Sequence, residues 1–294
     1  MKNPLKWLTC DVFGVLLLFS PTAFALDVVN FAVSEYAGDT NIYREQLLQR
    51  ALEVTEPDFG PFELNLMRSG LSRHRALSEV VRAGKINTFI MVYYPEWSQK
   101  TYVVPIPTMR GLLSYRLLLV NKNNAHKFSD IKSLEDLKKL RVGTLKRWSL
   151  TNILESQGFN IVRVETRDAL FKMLDAGRFD YLMRGANEVF MELASPKISS
   201  KENIILEKNI KLVLPMPQYF YVSLREPGLA KRLNVGMQRL LENGTLDDLL
   251  EEHYGESVKQ ARLESPINFH LVNPDIPASF LEKPCHWIHL ENDK

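Results

Sequence analysis

Residues 133–183 read SLEDLKKLRVGTLKRWSLTNILESQGFNIVRVETRDALFKMLDAGRFDYLM. Three times in this stretch a helical pattern gives way to a short β-rich run. Ser133-Leu134-Glu135-Asp136 has the serine-and-acid start of a capped helix, and Arg141 to Leu145 is the strand after it. Ser149 to Gln157 is helical and stops at Gly158, and Ile161 to Glu165 is extended. Asp168 to Ala176 is helical and stops at Gly177, and Phe179 to Met183 is extended. A glycine just past the last periodic residue ends a helix because it accepts left-handed backbone without a Cβ clash. Such alternation predicts parallel strands with helices on both faces of a sheet.

The same alternation extends outward in both directions. Upstream, Val28 to Val33, Phe62 to Met67, Thr88 to Tyr93 and Tyr102 to Ile106 are β-rich. Between them, Tyr43, Leu47, Leu48, Ala51 and Leu52 share one helix face. Leu71, His74, Leu77, Val80 and Val81 share another, with His74 expected in the core. A fresh start follows Arg110-Gly111, with Tyr115 to Val120 as its first strand. Asn187 to Ala194 is helical, Lys211 to Leu224 is extended, and Leu229–Leu241 and Leu246–Tyr254 are amphipathic helices around Asn243-Gly244. After Gly255 come Pro266, Pro274, Pro277 and Pro284 with little periodicity, a wrapped or loose extension.

Composition narrows the classes. The 294 residues suffice for one large domain or two lobes, and 24% charged with 10% aromatic residues fits a globular chain. The 37 basic and 35 acidic side chains give +2, too small an excess for a nucleic-acid footprint. Two cysteines, Cys10 and Cys285, make no disulfide framework and no paired zinc motif. Cys285-His286 with His289 has metal-capable side chains but no scaffold, so no metal is expected. No glycine-rich phosphate loop is present, and no cofactor is expected.

Residues 1–25 read as a cleaved export signal. Lys2 and Lys6 precede an apolar run from Val12 to Phe19, and Ala23-Phe24-Ala25 has the small-residue cleavage shape. The apolar run falls well short of the roughly 20 residues a membrane span needs. Losing Lys2, Lys6 and Asp11 would leave 35 basic and 34 acidic side chains and Cys285 as the single thiol. A periplasmic, monomeric chain with no membrane span and no nucleic-acid partner is expected.

Three segments resemble one family, the periplasmic solute-binding proteins of the amino-acid type. Ser133-Leu134-Glu135-Asp136-Leu137 leading to Arg141-Val142-Gly143 resembles one of its stretches, and Ala176-Gly177-Arg178-Phe179-Asp180-Tyr181 another. Glu242-Asn243-Gly244-Thr245-Leu246 to His253-Tyr254-Gly255 resembles its C-terminal helical signature. The likeness runs from about Leu26 to Gly255. It implies an α/β, two-lobed periplasmic-binding-protein-like fold of type II, each lobe a mainly parallel sheet flanked by helices. Lobe 1 would comprise 26–111 and 221–294, and lobe 2 would comprise 112–220. Arg110 to Ser114 and Pro217 to Tyr221 would carry the hinges on which the lobes close over a ligand.

The resemblance fails at the ligand. Members that bind α-amino acids carry an arginine for the ligand carboxylate where this chain has Trp97, in Tyr94-Pro95-Glu96-Trp97. They carry an aspartate for the ammonium where this chain has Gly185. A divergent subset of bacterial members is more similar. It is matched by Arg75, Gly111-Leu112-Leu113-Ser114-Tyr115-Arg116, Trp148, and the run Gly177 to Tyr181 with Arg184-Gly185 and Glu188.

Sheets of this kind bind ligands beyond the strand C-termini. The loops there nominate Tyr36, Arg75, Trp97, Arg110, Trp148, Arg184 and Glu188 as ligand-binding residues, with Arg73, Arg116 and Arg147 nearby. Arginine forks onto carboxylate or phosphate and aromatic rings stack on flat groups, so a small anionic or aromatic solute is expected, delivered to a membrane transporter or sensor. Two alternatives remain. One is an interaction or sensory module that keeps the scaffold without a solute. The other is an exported dehydratase-like enzyme using Glu35 or Glu188 as acid with Arg75 as clamp; no nucleophile–base pair is visible, and a non-enzyme is expected.

Overall fold

A computed structural model describes residues 26–34, 39–264 and 267–281. The expected export signal, Glu35, Tyr36 and the Cys285-His286…His289 cluster lie outside the described residues. The strands in chain order are β1 (Asp27–Ser34), β2 (Phe62–Ser69), β3 (Thr88–Val92), β4 (Thr101–Val103), β5 (Tyr115–Asn121), β6 (Arg141–Leu145), β7 (Asn160–Val164), β8 (Tyr181–Gly185), β9 (Ile204–Val213), β10 (Gln218–Ser223) and β11 (Ile267–His270). They form two sheets, ordered β2-β1-β3-β10-β4 and β11-β9-β5-β8-β6-β7. Parallel pairs build β2-β1-β3 and β8-β6-β7, where a helix returns the chain between strands. Antiparallel pairs occur where a segment crosses directly from the other sheet, at β5 with β8 and β9 and at β10 with β3 and β4.

Period-two alternation explains how β10 serves two cores at once. Phe220 and Val222 point into the large core that spans both sheets. Tyr219 and Tyr221 point the other way, into a second cluster with Leu77, Val80, Ile86 and Trp97. The large core takes the predicted face of helix Asp39–Glu53: Tyr43, Leu47, Leu48, Ala51 and Leu52 are all buried, each leucine contributing about 1.5–3 kcal/mol. Helix Pro227–Glu242 crosses this helix at Gly236, where a Cβ would lie 2.2 Å from the Ala51 carbonyl oxygen. Four residues earlier on that helix, Arg232 is wholly buried. It donates to Asp27 Oδ2 at 2.8 Å, Gly60 O at 2.9 Å, and Leu52 O and Thr55 Oγ1 at 3.1 Å, so the buried guanidinium is satisfied by the segment that leaves the first helix and by the start of β1.

Helix starts follow their caps. Ser133, Thr166 and Ser72 each accept a hydrogen bond from the backbone N–H three residues on. Two segments cross between the sheets, 104–114 and 214–217, and they hold each other. Leu214 N–H donates to Ser114 O at 2.8 Å and Met216 N–H to Ser114 Oγ at 3.0 Å.

Strand β9 begins at Ile204, seven residues before the extended run expected from Lys211, and four further departures shape the architecture. Pro95–Lys100 is a helix, which shortens the expected Tyr102–Ile106 strand to Thr101–Val103; proline suits a helix's first turn. His74 is exposed rather than core. The last helix runs Thr245–Glu264 straight through Gly255, because Tyr254, Val258 and Ala261 continue the buried stripe. The tail, assigned to the first lobe, instead adds β11 to the second sheet beside β9. It then returns: Asn273 Nδ2 donates to Pro215 O at 2.8 Å, and Phe280 packs on Tyr93 and Tyr219 of the first sheet. A third segment therefore spans the sheets beside the two crossings.

Candidate functional site

Three strand ends of the second sheet meet at one edge. β8 ends at Gly185, parallel β6 ends at Leu145, and antiparallel β5 begins at Tyr115 with Arg116 paired to Gly185. The loops after β2 and β3 face them from the first sheet. Arg73, at the start of helix Arg73–Arg82, stacks on the Tyr94 ring at 4.2 Å and donates from Nη1 to Ser149 Oγ at 3.2 Å. Ser149 opens the helix after β6, so this bond ties the two lobes' facing loops.

At the centre lies Arg184, 5% exposed. Its Nε and Nη2 fork onto Glu192 at 2.7 and 2.6 Å, and Nη2 also meets Glu188 Oε2 at 3.0 Å. The guanidinium lies 4.9 Å from the Trp148 ring centroid, a cation–π contact. Arg167 pairs with Glu192 from outside. Burial works against the charge on Arg184, but Glu188 and Glu192 outweigh it and hold its pKa above the ordinary arginine value. Burial would raise Glu188, yet Arg184, Arg116, the Gly185 N–H and Arg167 together hold it below the usual carboxylate range.

Of the expected ligand residues, the structure thus brings Trp148, Arg184 and Glu188 together. Arg110 lies on the first crossing with a left-handed φ of 41° and is ion-paired to Asp247 of helix Thr245–Glu264. Arg75 is exposed on its helix, and its neighbour Arg73 makes the inter-lobe contact instead. Trp97 does not reach the crevice. It is 0% exposed, stacked on Phe89 at 5.4 Å and edge-on to Tyr221 at 5.3 Å inside the second cluster. Tyr36 lies outside the described residues.

Sequence reasoning missed Glu192, which saturates Arg184, and missed Arg44, Asn187 and Gln218. Glu192 stands four residues after Glu188 on helical spacing, a signal that two acids could serve one arginine. Arg44, Arg116, Asn187 and Gln218 each keep a buried polar atom with no hydrogen-bond partner among the described residues. Among the described residues Arg116 Nη2 meets only Met216 Sδ, at 2.7 Å. At Gly185 a Cβ would lie 2.5 Å from Asn187 Oδ1, 3.0 Å from Leu113 Cδ1 and 3.2 Å from Glu188 Oε2. The aspartate position of amino-acid binders is therefore filled by neighbours. Among the described residues no cluster of acids, histidines and cysteines could hold a metal, and no helix is long and apolar enough to cross a membrane.

No protein-family profile matches the sequence, and no curated protein matches it. Solved structures do. An ancestral arginine-binding protein bound to glutamine is 15% identical over 78% of this chain and 98% of its own, with a TM-score of 0.55. A histidine kinase sensor domain with similarity to periplasmic binding proteins is 13% identical over 79% of this chain and 97% of its own, TM-score 0.55. The ancestral amino-acid-binding protein AncCDT-1, a precursor of cyclohexadienyl dehydratase, is 18% identical over 78% and 95%, TM-score 0.53. At these identities the likeness establishes the fold: the chain has the type II periplasmic-binding-protein-like architecture.

Proposed function

We propose that this chain is an extracytoplasmic, non-enzymatic solute-binding protein. It closes two lobes on a small anionic solute and presents the closed form to a membrane transporter or a sensor. The observation that carries this reading is the composition of the crevice edge. Arg116, whose buried Nε has no partner among the described residues, and Trp148 stand at the strand ends of the second sheet, and Arg73 reaches across from the first to Ser149. Strand ends that hold a cation, an aromatic face and an inter-lobe hydrogen bond suit capture of an anion by closure.

The dehydratase alternative is less well supported by the same residues. A general acid must hold a proton near neutral pH. Glu188 is held below the usual carboxylate range, with Oε2 accepting from both Arg184 and Gly185 N–H. Both partners have a counterpart among proteins of this fold: one structural neighbour is described with glutathione import through a cystine ABC importer, and another is a histidine kinase sensor domain.

The test is a thermal-shift screen of the purified chain against organic acids, phosphate esters, amino acids, sugars and nucleobases. A solute that binds the folded state alone raises the melting temperature by mass action. At least one acidic solute should do so; no rise with any solute of any charge would count against the reading.

A further inference from the structure

Among the described residues, two guanidiniums at the crevice make no ion pair and keep a buried Nε without a partner. Glu192 is held by Arg184 and Arg167, and Glu188 Oε2 by Arg184 and the Gly185 N–H. These two acids offset those two arginines. Arg116 and Arg44 are left over.

Arg116 leads β5 out of the first crossing and is 4% exposed. A thioether is a weak acceptor, so its contact with Met216 does not satisfy a charged donor, and its Nε has no partner among the described residues. Arg44 comes from the other lobe, on helix Asp39–Glu53, and its Nε is buried without a partner too. Burial pushes the Arg116 pKa down to about 10, with Glu188 opposing too weakly to prevent it. Burial likewise lowers Arg44, against the same Glu188. Both cations thus lie within electrostatic reach of Glu188, one from each lobe. A charge without a partner is costly when buried, more so for Arg116 than for half-buried Arg44, so the site favours a ligand that supplies negative charge to both.

A cationic group on the solute is disfavoured here by charge. Gly185 supplies no side-chain carboxylate, and the acceptors left free among the described residues, Asn187 Oδ1 and Gln218 Oε1, are neutral amide oxygens that suit a hydroxyl. An ammonium near Glu188 would also sit among Arg44, Arg116, Arg167 and Arg184.

We infer that the solute is a small dianion without an ammonium group, a dicarboxylate or a phosphate monoester, bridged by Arg116 of one lobe and Arg44 of the other. This rests on the solute-binding reading above and narrows it. Arginine forks bind either anion well. The bridge would also explain closure, because each lobe contributes one cation to the same ligand.

The experiment titrates the purified full chain with malonate, succinate, glutarate, phthalate, glycerol 3-phosphate and phenyl phosphate. Butyrate, benzoate, aspartate and glutamine serve as the monoanionic and ammonium-bearing counterparts. At about 100 times its Kd, a bound dianion should raise the melting temperature by about 5 °C or more. Succinate against aspartate isolates the ammonium, and the phosphate arm separates phosphate from carboxylate recognition. R116Q, checked for folding by circular dichroism, should weaken the responding dianion by about tenfold to a hundredfold. R44Q, at a half-buried position, should do likewise and covers the case in which R116Q does not fold. The inference is overturned if a neutral, monoanionic or ammonium-bearing solute binds while every dianion fails, or if both variants keep full affinity. Silence from every solute of every charge would instead overturn the solute-binding reading itself.

Discussion

Arg116 and Gly185 face each other across the β5–β8 pair, and the space that a side chain at 185 would need is already taken by Asn187 Oδ1, 2.5 Å from the Cβ position. Directly opposed residues on one sheet face have Cβ atoms about 5 Å apart, so Arg116, Asn187 and Glu188 crowd one spot. Gly185→Asp should therefore not restore amino-acid binding. It should cost about 1–3 kcal/mol through overpacking, with added repulsion from Glu188. Urea unfolding together with titration by aspartate and glutamine checks this; amino-acid binding gained at unchanged stability would contradict it.

Asp180, in the Gly177–Tyr181 run, acts as a structural pin rather than a ligand group. It accepts from Lys127 Nζ at 2.8 Å and from Arg141 N–H and Nε at 2.9 and 3.2 Å. Burial alone would raise its pKa, but these donors outweigh burial and hold it below the ordinary aspartate value. A carboxyl with a depressed native pKa contributes stability above its unfolded value, about 3.9, and loses it as pH falls through the native value. Asp180→Asn should be less stable at neutral pH by about 1–3 kcal/mol. Its stability should also fall less steeply than that of the parent chain below about pH 4. Parallel acid-unfolding curves for the two proteins would refute this.

Gly236 and Gly228 lie on one helix in opposite circumstances. A methyl at 236 would meet the Ala51 carbonyl at 2.2 Å, whereas nothing lies within 4 Å at 228. Gly236→Ala should destabilise by about 1–3 kcal/mol. Gly228→Ala should be neutral or gain about 0.4–1 kcal/mol through the unfolded chain. Denaturant midpoints of the two variants should move in different directions; equal shifts would contradict the close helix crossing.

The tail that joins β11 to the second sheet and Phe280 to the first should contribute to global stability. The Phe280 ring lies 5.1 Å from Tyr93 and 5.4 Å from Tyr219. Phe280→Ala should cost about 1–2 kcal/mol, less than the ~3–5 kcal/mol of a fully buried phenylalanine. An unchanged unfolding midpoint would show that the tail is merely resting there.

Most strands and helices were legible because their signals are local. The glycine stops, the Ser133 cap and the spacing of Tyr43 to Leu52 each act over a few residues. What escaped was set by partners distant in the chain. Whether Trp97 faces a cleft or a core depends on Phe89 and on Tyr221, 124 positions later, and nothing in Tyr94-Pro95-Glu96-Trp97 encodes that. β11 is a four-residue strand whose place comes from backbone pairing to β9, which side-chain pattern does not reveal. The crevice was half legible. Arg184, Glu188 and Trp148 were found from strand ends, but the neutralisation of Arg184 by Glu192, and the leftover charge on Arg116 and Arg44, emerge only when burial and pairing are counted together.

Closure on a solute is the central claim, and small-angle X-ray scattering tests it most directly. The chain is measured alone and with the acidic solute that most raises its melting temperature. Hinge closure predicts a smaller radius of gyration with the solute bound, and the contraction should be lost in R116Q at the same solute concentration. Scattering curves that superimpose with and without a demonstrably bound solute would contradict capture by closure.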